Sequence, residues 1–133
     1  MRVYVAGKTH DYERIREIQG ALRAEGSVIT HDWTSAVEHH GPEHEVVDPS
    51  PVEQAMYAEA DRRGVVQSDL VIALGHPMVC GTLWEAGMAS ALRIPVVLVD
   101  WHIAPNTIFK FLDNVSMMTY RDLFIYIRRG EFS

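Results

Sequence analysis

The run Asp69-Leu-Val-Ile-Ala-Leu-Gly-His-Pro-Met-Val-Cys-Gly-Thr-Leu-Trp-Glu-Ala-Gly-Met-Ala-Ser-Ala-Leu92 narrows the fold of this chain more than any other stretch. Leu70 to Leu74 is unbroken in its apolar character, the mark of a strand covered on both faces. Pro77 and Gly81 punctuate a loop, after which a helix rich in small residues begins. Thr82 is the expected N-cap of that helix, with Glu85 at its third position. A carboxylate placed there lies beyond the carboxyl end of a strand, where open α/β sheets bind their ligands. Glu85 has two readings. Thr82-x-x-Glu85 has the form of a capping box, in which the carboxylate reaches back to the N-cap amide. Ser50-Pro-Val-Glu53 has the same form, so the chain uses the device elsewhere with no chemistry implied.

The rest of the chain supplies the partners of that strand. Val3-Tyr-Val-Ala-Gly7 reads as a first strand ending in a glycine that permits close approach of a ligand. Tyr12 to Glu25 carries Ile15, Ile18 and Leu22 at helical spacing, and Gly26 stops it. Ser27 to Thr30 is a second strand, leading into His31-Asp-Trp-Thr34. Ser50-Pro51 opens a helix whose apolar face is expected from Ala55, Ala58, Ala60, Val65 and Val66. Asp69 to Leu74 is the third strand, Thr82 to Leu92 a helix, and Pro95 to Val99 a fourth strand. A short helix over Asn106 to Leu112, a fifth strand over Val115 to Met118 and a helix over Thr119 to Arg129 complete the chain, the last with Leu123 and Ile127 inward. Strands alternating with helices mean a parallel sheet with helices on both faces. The expectation is one α/β domain over residues 1–133, a three-layer, doubly wound, flavodoxin-like fold with five parallel strands.

Charge and composition exclude several function classes. A net charge of -6 argues against binding a nucleic-acid polymer, which needs a basic face. The single cysteine, Cys80, excludes an internal disulfide and a cysteine-rich metal site. No apolar run approaches membrane-spanning length, and Met1 leads straight into a strand rather than a signal peptide. A cytoplasmic protein is therefore expected. Residues 35 to 50 are the least regular part, and contain His39, His40 and His44 in a Gly-Pro context. Their spacing matches no recognised zinc pattern, so a mobile lid is expected there in preference to a metal centre. No metal and no cofactor are implied.

Three features occur in order: Tyr4-Val-Ala-Gly7; Asp61 ahead of Ser68-Asp69-Leu-Val-Ile-Ala; and Gly81-Thr-Leu-Trp-Glu85-Ala-Gly87. Together they resemble the nucleoside 2-deoxyribosyltransferase superfamily, which includes the deoxynucleoside 5′-monophosphate N-glycosidases. Gly81, Glu85 and Gly87 match its nucleophile pattern, and the ordered landmarks span roughly residues 2 to 100. The resemblance implies that Glu85 attacks the anomeric carbon of a nucleoside or nucleotide and forms a covalent glycosyl-enzyme, as retaining glycosidases do. A helix N-terminus would favour its ionised form. Tyr4 would hold Glu85 through its hydroxyl, and Asp61 would contact and protonate the leaving base. Tyr12 resembles the tyrosine that opens the first helix of the monophosphate N-glycosidases. Gly7, Gly81 and Thr82 would line the substrate site. Trp33 and Trp84 are candidates for stacking on a base, with interior packing the competing reading for Trp84. Asn106 resembles a C-terminal asparagine lent to the neighbouring subunit, which implies a homodimer or higher homo-oligomer.

The chain also departs from the family. Val79 stands where the transferases carry aspartate and the hydrolases often serine, and Gly7-Lys8-Thr9-His10-Asp11 replaces the Gly-Gly-Arg phosphate loop. Lys8, Thr9 and His10 are the substitute candidates for phosphate. The resemblance leaves water and a second base equally open as acceptor. Its rival is a non-catalytic nucleotide or nucleotide-sugar sensor on the same fold.

Overall fold

The computed structural model describes residues 1–40 and 49–132, with the side chains of His39 and His40 excepted. In chain order the elements are β1 (Arg2–Ala6), α1 (Tyr12–Ala24), β2 (Val28–Ile29), α2 (Thr34–His40), α3 (Pro51–Val66), β3 (Leu70–Leu74), α4 (Gly81–Ala91), β4 (Val96–Val99), β5 (Val115–Met118) and α5 (Tyr120–Arg128). The strands form one sheet in the order β2-β1-β3-β4-β5, and every pairing is parallel. Tyr4 stands opposite Val71, and Val71 in turn opposite Val96. The doubly wound α/β sheet expected from the alternation of elements is the fold. Helices α1 and α5 pack together over one face of the sheet, α3 and α4 over the other. This double cover explains the unbroken apolar strands, since β3 is buried along its whole length.

Local chemistry sets where the helices begin and end. α1 buries Ile15, Ile18 and Leu22 and stops in a Schellman motif: Gly26 at φ 92° donates to the Arg23 carbonyl at 3.0 Å, and the Ser27 amide to that of Leu22 at 3.0 Å. At α3 the capping box is complete. The Glu53 amide donates to Ser50 Oγ at 3.1 Å and the Ser50 amide to Glu53 Oε1 at 3.1 Å, with Pro51 in the first turn. α5 is capped by Thr119, whose hydroxyl accepts from the Asp122 amide at 3.1 Å, and its Leu123 and Ile127 are buried as expected.

Several expectations need correction. The helix expected to start at Thr82 starts one residue earlier: its N-cap is Cys80, with no side-chain cap, and Thr82 is buried inside its first turn. The expected apolar face of α3 is also wrong, because only Gly64 and Val65 are buried, while Ala55, Ala58 and Val66 are exposed. The second strand shrinks to two residues at the sheet edge. The segment at Asn106 to Leu112 contributes only a 3-10 turn over Ile108–Phe111. Residues 35 to 40, expected to be irregular, are helical as part of α2. The remainder of the expected lid, and the His39, His40 and His44 side chains, lie outside the described residues. No described helix is long and apolar enough to cross a membrane.

Candidate active site

A cavity of about 390 Å3 opens where β1 and β3 end, between Tyr4 on β1, His31 and Trp33 after β2, Tyr57 and Asp61 on α3, and Glu85 on α4. This is the topological switch point of the sheet, since the chain leaves β1 toward β2 on one side and toward β3 on the other. Alternation along β1 turns Tyr4 toward α3 and α4, where it is fully buried. Asp61 and Glu85 arrive from those two helices, which pack against each other.

With the cap at Cys80, Glu85 is beyond reach of the capping role that its spacing suggested. Its Oε2 is buried without a hydrogen-bond partner among the described residues, as are Tyr4 Oη and Asp61 Oδ1. Unpartnered buried oxygens cost free energy, and a cluster of them at a cavity marks a place built for something other than stability. Burial is the main force on their ionisation. It raises the Glu85 carboxyl to about 7, with the nearby Asp61 charge adding to the rise and the Tyr4 hydroxyl opposing it. The expected helix N-terminal preference for the ionised form is thus outweighed by desolvation. Asp61 rises to about 6 for the same reason, held back by the His31 imidazole and by Tyr4. Tyr4 is driven far above the usual phenol range by burial and by both carboxylates, so its proton stays in place. The hydroxyl is close enough to both acids to influence them, yet it closes a hydrogen bond of good geometry with neither.

A third carboxylate on the cavity shows the contrast. Asp32 is also penalised by burial, but it accepts from the Thr34 hydroxyl and, at 3.0 Å, from the Thr34 amide, and Arg23 lies 3.5 Å away. Together these hold it below the usual carboxylate range. Asp32 is a structural turn former at the start of α2; Asp61 and Glu85 are the poised pair.

His31 escaped the reading of the sequence. Its Nε2 lies 3.3 Å from Asp61 Oδ1, a contact between residues 30 apart in the chain. The one signal for it was position, immediately after an expected parallel strand at the carboxyl edge. Trp33 donates from Nε1 to the Val5 carbonyl at 2.7 Å and is 8% exposed. It is a fixed wall of the cavity rather than a free stacking platform. Gly7, Gly81 and Thr82 also line the cavity, and a Cβ at Gly7 would lie 2.6 Å from Ile15 Cδ1, so a side chain there would push the end of Ile15 aside.

Both poised carboxyls bind protons more tightly in the folded chain than in the unfolded one, whose values stay near 3.8 for Asp61 and 4.5 for Glu85. Their contribution to stability is therefore complete below the unfolded values and is lost as pH rises through the folded ones. Glu85→Gln is expected to raise Tm by a few degrees at about pH 8 and to leave it nearly unchanged at about pH 5. Calorimetric melts at the two pH values check this; an equal effect at both would mean that Glu85 carries no buried charge.

The family model described as nucleoside 2-deoxyribosyltransferase matches residues 3–118. The chain belongs to the nucleoside 2-deoxyribosyltransferase family. Among solved structures, the fold is similar to that of the Clostridium botulinum CMP N-glycosidase BcmB, at 20% identity and a TM-score of 0.64, with 100% of each chain covered. No curated protein matches the chain.

This member of the nucleoside 2-deoxyribosyltransferase family gathers Tyr4, Gly7, Trp33, Asp61, Gly81, Thr82 and Glu85 around one cavity. Tyr12 and Asn106 do not line this cavity, and Asn106 was expected to serve a neighbouring subunit's site rather than its own. Tyr12 opens α1, packs against the core and points its hydroxyl at Glu13 Oε1, 3.4 Å away. Asn106 accepts from Lys110 Nζ at 2.8 Å and lines a separate apolar groove of about 830 Å3. Trp84 lies on that groove too, 74% exposed, which overturns interior packing for it and takes it away from the Glu85 cavity. Val79, at the departing position, is buried in the core cluster.

Proposed function

We propose that this family member cleaves the N-glycosidic bond of a nucleoside or deoxynucleoside, or of its 5′-monophosphate, through a covalent glycosyl-Glu85 intermediate. The observation that carries the reading is the pairing of two buried carboxyls with raised pKa values around one phenol at the sheet's switch point. In the first step a Glu85 oxygen forms a bond to the anomeric carbon as the carbon–nitrogen bond breaks. Its electron pair leaves with the base, which takes the proton from Asp61. In the second step water or another base attacks the same carbon, Asp61 takes back a proton, and the Glu85 carboxylate is released. Tyr4, permanently protonated, steadies whichever carboxylate bears the charge. Gly7, Trp33, Gly81 and Thr82 shape the sugar and base pocket, while Tyr12 acts from outside it. In this reading the chain works in the cytoplasm as a homo-oligomer, a second copy covering the apolar groove and bringing Asn106 to its neighbour's site.

Chromatographic release of free base from a panel of nucleosides and 5′-monophosphates, CMP among them, tests the activity. Adding a second base separates transfer from hydrolysis. No release from any member would leave the non-catalytic sensor as the function of the fold. The pair titrates as a unit, so kcat/KM is expected to pass through a maximum between about pH 6 and about 7. It falls on the acid side as Glu85 holds its proton and on the alkaline side as Asp61 loses its own. A rate that stays flat across that range would remove the pair from the chemistry.

A further inference from the structure

The cavity exists because α3 comes unusually close to the sheet, and one glycine permits that approach. Gly64 lies one helical turn beyond Asp61, so both face the same way. A Cβ at Gly64 would lie 2.8 Å from His31 Cβ, 2.8 Å from Tyr4 Cδ2 and 3.0 Å from Tyr4 Cε2. Neither neighbour has freedom to swing aside. Tyr4 is fully buried in a central strand, and His31 Cβ is fixed by its own backbone. The same helical turn is tied to the β2 side by Thr30 Oγ1, which donates to the Gly64 carbonyl at 2.7 Å. Side by side in the chain, Thr30 bonds this turn and His31 contacts Asp61.

We propose that Gly64 is a positioning residue: it sets the approach of α3 that holds Asp61 against Tyr4 and His31 and so fixes how Asp61 and Glu85 share their proton. The proposal rests on the glycosidic reading of the site. A methyl group at position 64 has no room unless α3 moves outward, and that movement draws Asp61 away from the leaving base and admits water beside Glu85. Among the described residues, the other ionisable groups facing the pair are Tyr4 and Lys8 from the β1 side, His31 and Asp32 from the β2 side, Tyr57 from α3 and Cys80 before α4. Of these, Tyr4 and His31 meet the added Cβ directly, so the effect on Glu85 is transmitted through Asp61, through Tyr4 and through solvent access.

The test compares Gly64→Ala with Thr30→Val, which loosens the same turn without adding bulk, and with Gly20→Ala on α1, where nothing lies within 4 Å of the added Cβ. Gly64→Ala is expected to lower kcat by about tenfold to a hundredfold with KM changed less than about threefold. Its acid limb should move down by about half a pH unit or more, because Glu85 returns toward its ordinary value once water reaches it. Thr30→Val should move the same limb in the same direction by less, and Gly20→Ala should not move it. The 13C carboxyl titration of Glu85 in labelled protein reads the same shift without substrate. If Gly64→Ala fails to fold, Thr30→Val and its titration decide. Unmoved titration and wild-type kcat in the folded variants would overturn the positioning role. A wild-type chain that releases no base would overturn the glycosidic reading alone, since the titration still reports on Gly64.

Discussion

Glu85→Ala is expected to abolish base release, by about ten-thousandfold or more against the wild type on any substrate the latter cleaves. The magnitude follows from the role. A nucleophile that forms the glycosyl bond has no substitute among the described residues of the cavity, because Asp32 is engaged at the start of α2 and Asp61 is needed as the acid. The substitution also leaves a hole where the carboxylate stood. Added azide should enter that hole and restore part of the turnover with inverted configuration at the anomeric carbon, a result that only a displaced nucleophile explains. Quantifying the free base by chromatography, with and without azide, is sufficient. Residual activity within about a hundredfold of wild type would remove Glu85 from the bond-forming step.

Asp61→Asn is expected to cost about a hundredfold to ten-thousandfold in kcat, with the loss depending on the base. Asparagine keeps the size of the side chain but has no proton to give at this pH. Bases that leave readily as anions should suffer little, and those that must be protonated should suffer most. The alkaline limb of the pH profile, where Asp61 loses its proton, should disappear as well. A uniform loss across good and poor leaving groups would mean that Asp61 only shapes the pocket. Unlike a general loss of stability, the dependence on leaving group reports on proton delivery itself.

The sheet was legible in the residues because its strands are covered on both sides. Leu70 to Leu74 and Val96 to Val99 must be continuously apolar to survive there, and no other element leaves that trace. Glu85 was legible through its spacing to Gly81 and Gly87 and its place after a strand. What stood in the way was a second meaning for the same spacing. A capping box and a nucleophile pattern look alike until the helix start is known, and a two-residue difference in the N-cap, Cys80 for Thr82, separates them. At Ser50 and Glu53 the same pattern is a genuine box. His31 was invisible for another reason: its partner Asp61 is brought to it by the packing of α3, which sequence periodicity does not encode. The nearly featureless face of α3 misled in the same way, since small alanines suggested burial where only Gly64 and Val65 are fully buried. Tyr12 was assigned from family likeness at the end of an element, where a shift of a residue or a turn moves a side chain out of the cavity.

The brevity of β2 has a consequence for how the molecule breathes. The edge strand contributes two registered pairs with β1 and, among the described residues, has no neighbour on its other side. The segment that follows it, carrying His31, Asp32 and Trp33, is otherwise fastened by Thr30 to Val3 and Gly64 and by Trp33 to Val5. Glu85 sits instead on a helix packed over the sheet centre, next to strands with partners on both sides. Amide hydrogens around β2 should therefore exchange through small local openings, while those of β1 and β3 wait for the whole domain to unfold. The two halves of the cavity should therefore keep different times, the Glu85 side opening only with the whole domain and the His31 side with the fraying of its edge strand.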